Sequence, residues 1–185
     1  MRNVLVLVLC LTTLCANICA AGTWVTSSRA SSSGLMQQLD RAHWIGTGAK
    51  SPARVVYVFT DPNCPYCNDL WKAMQATRAP EVQVRYLLVA VIDADSRGKD
   101  AAILESSDPA ATLDENERKF DRGGIAPRSM AQAATNATIS ANEALMKDLN
   151  IFGTPGLVYQ DEHNELKVFA GMPNPEQLRM ILGNR

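Results

Sequence analysis

The cysteine pair in Cys64-Pro65-Tyr66-Cys67 stands where an apolar run ends and an amphipathic stretch begins, a junction open to few folds. The run before it, Val55-Val56-Tyr57-Val58-Phe59, is β-branched and aromatic, the composition of a buried strand. After it, Cys67, Leu70, Trp71 and Met74 recur at i, i+3, i+4 and i+7, one face of a helix continuing from Asn68 to Arg78. The pair is therefore expected at a strand-to-helix turn, Cys64 at the helix N-terminus and Cys67 one turn further in, on the buried face. Pro65 suits the first helical position, where its missing N–H is not needed. Free backbone N–H groups and the helix dipole favour an anion there. The anion that thiol chemistry requires is a thiolate, and a cysteine pKa of ~8.5 falls to roughly 3.5–7.5 in such a motif. The inner thiol receives less of this help and more desolvation. That asymmetry assigns Cys64 as nucleophile and Cys67 as resolving thiol.

The rest of the cysteine inventory points the same way. Arg2 precedes the apolar run Val4 to Leu11, and small residues follow at Cys19-Ala20-Ala21-Gly22, the layout of a cleaved signal peptide over residues 1–21. The run is short for a membrane span. Of five cysteines, Cys10, Cys15 and Cys19 fall in this leader; five minus three leaves Cys64 and Cys67. An exported chain built on structural disulfides carries more pairs at longer separations. A bridge across two intervening residues restrains little of the unfolded chain. A pair of no use as a staple is read as chemical. With 18 basic against 19 acidic residues, nothing in the charge points to nucleic acid.

Along the chain, Gly22 to Ser33 is small and polar and reads as a flexible leader. Leu35 to Ile45 reads as an amphipathic helix ended by Gly46-Thr47-Gly48. Arg54 to Thr60 is a central strand, and Val82 to Ile92 a second one. Two apolar strands flanking a helix predict a parallel, buried βαβ unit. From about 94 to 150 the composition turns to alanine and charge, an inserted helical subdomain of three or four helices. Leu157 to Gln160 and Leu166 to Ala170 form a hairpin around Asp161-Glu162-His163-Asn164, and Pro175 to Leu182 is a last helix. The order β-α-β, helices, β-β-α is an α/β thioredoxin fold with a helical insertion. The expected organisation is a leader and N-terminal helix over residues 22–50 and a thioredoxin-like domain over residues 51–185.

The stretch from Val56 through Cys67, together with Leu87 to Ile92, Ala101 to Leu104, Asp108-Pro109-Ala110, Gly153-Thr154-Pro155 and Gly171-Met172-Pro173, resembles the catalytic domain of the DsbC/DsbG-type periplasmic thiol:disulfide interchange proteins, the DsbG branch most of all. The resemblance runs from about Trp44 to the C-terminus. It implies a periplasmic oxidoreductase acting on cysteine-containing exported proteins, with a membrane reductant of DsbD type. It also implies a cis peptide bond before Pro155, beside the cysteine pair, where Thr154, Pro155 and Tyr66 meet substrate. The family's N-terminal dimerisation domain has no counterpart in the residues before the fold, so the expected form is a monomer.

Other readings stand beside this one. A zinc site needs two further ligands; only His43 and His163 remain, read as helix-end and turn residues, so neither metal nor cofactor is expected. A monomeric dithiol oxidase, a copper-delivery module and a chaperone-like peptide binder remain open. Trp44 and Trp71 are read as core, and Asp61 as a helix cap.

Overall fold

The structure, a computed structural model, describes residues 22–25, 29–77 and 79–183; the signal-peptide reading of residues 1–21 lies outside them. Its strands are β1 (Thr23–Val25), β2 (Ile45–Gly48), β3 (Arg54–Thr60), β4 (Val82–Leu88), β5 (Gly156–Gln160) and β6 (Leu166–Ala170). Its helices are α1 (Arg29–Arg41), α2 (Pro65–Ala76), α3 (Ser96–Leu104), α4 (Pro109–Arg118), α5 (Ala133–Asp148) and α6 (Pro175–Leu182), with a 3₁₀ turn at Phe120–Arg122. The strands form one sheet in the order β1-β6-β5-β3-β4-β2. Only β3 and β4 run parallel; the other pairs are antiparallel.

Both faces of the sheet are covered, which is why β3 reads as an unbroken apolar run. Val56 and Val58 face a core shared with Leu70 of α2, Ile103 of α3, Leu113 of α4 and Ile181 of α6. Tyr57 and Phe59 face the other way, onto Leu39 of α1 and Leu145 and Met146 of α5. The α3–α5 segment is the helical insertion expected between β4 and the hairpin. Pro175 opens α6 behind a capping box, Asn174 with Gln177, and left-handed Gly183 closes it.

Four local expectations are corrected. The flexible leader contains β1, whose Trp24 packs edge-on against Phe169 at 4.8 Å, and α1 begins at Arg29. Aromatic contact across a sheet edge orders a segment whose small polar composition hides it. The first helix stops at Arg41, and Ile45 to Gly48 pairs with β4 as an edge strand. There Arg85 lies over the Trp44 ring at 4.2 Å and bonds Asp40, latching helix end and strand together. Trp44 and Trp71 are half-buried rather than fully core. Finally, β4 ends at Leu88, and Val91 and Ile92 leave the sheet with exposed side chains.

Candidate active site

β3 delivers the chain to the sheet end where β4 finishes and β5 begins, since Thr60 pairs with Leu88 and Phe59 with Gly156. Asp61-Pro62-Asn63 turns it, and Cys64 takes the N-cap position of α2 with Pro65 as first helical residue. Cys67 follows on the buried side, and both thiols are free and buried. Across from them the Thr154–Pro155 peptide bond is cis. The Cys64 thiol donates to the Thr154 carbonyl at 3.3 Å, so the structure brings Cys64, Cys67, Thr154 and Pro155 together. Tyr66, between the cysteines, is 49% exposed. His43 and His163 are exposed, and His163 lies in the β5–β6 turn. Among the described residues no group of three or more His, Cys, Asp or Glu could hold a metal ion.

The two thiols are driven apart. Cys64 is lowered to about 7, first by the hydrogen bond from Cys67, against burial, and then by Thr154 and the backbone N–H groups of Cys67 and Tyr66. The Thr154 hydroxyl is buried with no hydrogen-bond partner in the dithiol form, a donor held in place for the thiolate. Burial pushes Cys67 well above the ordinary thiol range, and the hydrogen bond to Cys64 and the charge of Cys64 push it further; Thr60 and the Asp61 backbone oppose. The pair can therefore present one thiolate at neutral pH while holding the second proton. The ultraviolet absorbance of the thiolate should rise through one step near pH 7 and vanish from that range in Cys64→Ser. A single step well above 8 would contradict the asymmetry.

Asp61 is not a helix cap. Its carboxylate, fully buried, accepts from Asn63 N (2.9 Å), Ser96 Oγ (2.8 Å), Val91 N (2.7 Å) and Ile92 N (2.9 Å). It ties the turn before Cys64 to the segment after β4 and to the start of α3. Asn63 extends this web to Asp95 and Ser96, and the buried Lys99 ammonium donates to Asn63 Oδ1 (2.6 Å) and Gly123 O (2.8 Å). From α4, Asn116 donates to Pro62 O, while Asn68 beside Cys67 donates to Glu117. The helical insertion thus clamps the turn before Cys64 from behind. Sequence reasoning named only Asp61, and in another role; it missed the rest, because Asn63 and Asn68 adjoin the motif but the partners on α3 and α4 carry no spacing signature.

Asp100 of α3 lies next to this web, fully buried, with neither oxygen hydrogen-bonded. Burial raises its pKa well above the carboxylate range; Asp61 and Glu143 add to this and Arg97 opposes. A folded-state pKa above the unfolded one gives stability that is complete below the unfolded value and lost as pH rises through the folded one. Asp100→Asn, neutral at all pH, should melt above the wild type at pH 8, with the gap narrowing towards pH 4. Melting curves with a pH-independent gap would mean that Asp100 does not titrate as its burial requires.

Comparison with known proteins agrees with this arrangement. Residues 45–185 match the thioredoxin-like domain family. The thiol:disulfide interchange protein DsbG of Pseudomonas aeruginosa is 35% identical over 152 residues, covering 82% of this chain and 59% of that protein. DsbG of Escherichia coli is 36% identical over 152 residues, with 82% and 61% covered. The chain thus spans about three fifths of the length of these relatives. Among solved structures, the catalytic domain of Proteus mirabilis ScsC superposes with a TM-score of 0.65 at 22% identity, covering 82% of this chain and 94% of that one, a likeness of fold. A match of that extent, on a sheet of this order, makes the chain a member of the thioredoxin-like domain family.

Proposed function

We propose that the chain is a periplasmic thiol:disulfide oxidoreductase that reduces or isomerises disulfides, or reduces sulfenylated cysteines, in exported proteins. The observation that carries this reading is the pair of buried thiols with opposed pKa shifts, Cys64 at the N-cap of α2 against Thr154 and Cys67 behind it. The Cys64 thiolate attacks one sulfur of a substrate disulfide; that S–S bond breaks, its other sulfur leaves as thiolate, and a mixed disulfide forms. With a sulfenic acid the leaving group is hydroxide, which ends as water.

The mixed disulfide also readies the second step. Two influences that raise Cys67, the hydrogen bond to Cys64 and the charge of Cys64, depend on a free Cys64 thiolate. Once Cys64 is in a disulfide that charge is gone and the Cys67 proton is easier to lose. Cys67 then attacks the Cys64 sulfur, releases the substrate thiolate, and leaves a Cys64–Cys67 disulfide for a membrane reductant of DsbD type to reopen. Isomerisation follows where a second substrate thiol attacks before Cys67. Tyr66, Thr154 and Pro155 border the sulfur and are assigned to substrate contact.

The test is reduction of a peptide disulfide by the reduced mature protein. One peptide disulfide opened per protein disulfide formed supports the reading; no turnover, with both thiols intact, ends it.

A further inference from the structure

Lys99 is an ammonium inside the protein. It lies in α3, its side chain is 6% exposed, and the carboxylate paired with it, Asp95 at 3.7 Å, is half-exposed. A buried charge is costly unless it is closely paired and hydrogen-bonded, so one resting mainly on neutral oxygens calls for a reason. Those oxygens are Asn63 Oδ1 at 2.6 Å and Gly123 O at 2.8 Å. They belong to the turn before Cys64 and to the loop after the 3₁₀ turn, and Lys99 joins the two from α3.

The surroundings are built for this contact. Gly124, beside the accepting carbonyl, has a left-handed backbone at φ +71°. A Cβ there would lie 2.3 Å from Asn116 Oδ1 and 3.6 Å from Lys99 Nζ, so the loop reaches the ammonium only with glycine at this position. Asn116 pins the same loop, accepting from Ile125 N, and donates to Pro62 O. On the other side Asn63 is held at both ends of its amide. Its Nδ2 donates to Asp95 and Ser96 while its Oδ1 accepts from Lys99, and its backbone N–H donates to Asp61.

We propose that Lys99 is a positioning residue for Cys64: gripping Asn63, it holds the turn that aims the first N–H groups of α2 at the Cys64 sulfur. This rests on the exchange reading above and deepens it, since the thiolate is the form that attacks. Asn63 immediately precedes Cys64, and Cys64 N donates to Asp61 O at 3.0 Å, so turn and N-cap move as one piece. The N–H groups of Tyr66 and Cys67 that favour the Cys64 anion keep their aim only while that piece is fixed. Lys99 thus acts through its hydrogen bond to Asn63, not through the field of its charge.

The experiment reads the ultraviolet thiolate step of the reduced protein in Lys99→Met, Asn63→Ala and the double variant. Methionine keeps an apolar stem like that of lysine and removes the donors. Each single variant should raise the step by about one pH unit, and the double variant no further than either alone, since both break one contact. An unmoved step in either single variant overturns the positioning role. A double variant shifted by the sum of the two also overturns it, because Lys99 then has a route that bypasses Asn63. Where Lys99→Met fails to fold, Asn63→Ala decides alone, a raised step supporting the proposal and an unmoved one ending it. If the wild type reduces no peptide disulfide while these shifts hold, the exchange reading ends and the grip of Lys99 on the turn stands.

Discussion

Cys64→Ser is expected to abolish thiol–disulfide exchange, a loss of more than roughly 10³-fold, while Cys67→Ser should retain the first step and accumulate mixed disulfides. The difference follows from position. Cys64 is lowered to about 7 and sits at the N-cap of α2, against the Thr154 carbonyl. Cys67 lies on the buried side with its pKa raised by desolvation. A serine at 64 offers no nucleophile at neutral pH, and Cys67 is too buried and too protonated to replace it. A serine at 67 removes only the group that resolves the intermediate. Non-reducing electrophoresis of periplasmic extracts, with and without dithiothreitol, reads this directly. Trapping by Cys64→Ser, with none by Cys67→Ser, would reverse the two roles.

The second large effect is on stability. Asp61→Ala removes the acceptor of four hydrogen bonds at once and strands Asn63 N, Val91 N, Ile92 N and the Ser96 hydroxyl. A buried donor left unmatched costs about 1–3 kcal/mol, and bonds to a charged acceptor are the stronger kind. Water entering the vacated space recovers part of this, so the expected loss is about 3–5 kcal/mol, at the upper end for a single substitution. Because Asp61 also raises Asp100 by its charge, Asp61→Ala should weaken the pH dependence assigned to Asp100. Urea unfolding at pH 5 and pH 8 checks both. A loss under 1 kcal/mol would show that the web is redundant, and Asp61 would then have no claim to hold the turn before Cys64.

Both effects arise at the same strand end, yet they were unequally legible in the sequence. The cysteine pair and its place between strand and helix were readable because both are local. A β-branched run, an i, i+3, i+4, i+7 pattern and a proline at N1 lie within about 25 residues of chain and act through backbone geometry. The hairpin and α6 were readable for the same reason. What failed was local pattern without local cause. Thr23 to Val25 pairs with β6 because Trp24 finds Phe169, nearly 150 residues away, and Ile45 to Gly48 becomes a strand because β4 offers it an edge. The apolar run after Leu88 predicted more strand, whereas Asp61 draws the N–H groups of Val91 and Ile92 out of the ladder.

The sequence by itself determined the pair, two thiols at the start of a helix with one of them on its buried face. Only the tertiary structure decided what surrounds them. The carboxylate of Asp61, the buried ammonium of Lys99 and the unpaired carboxyl of Asp100 take their meaning from partners brought in by other elements. Burial and hydrogen bonding are properties of three-dimensional neighbours, and a one-dimensional spacing carries no record of them.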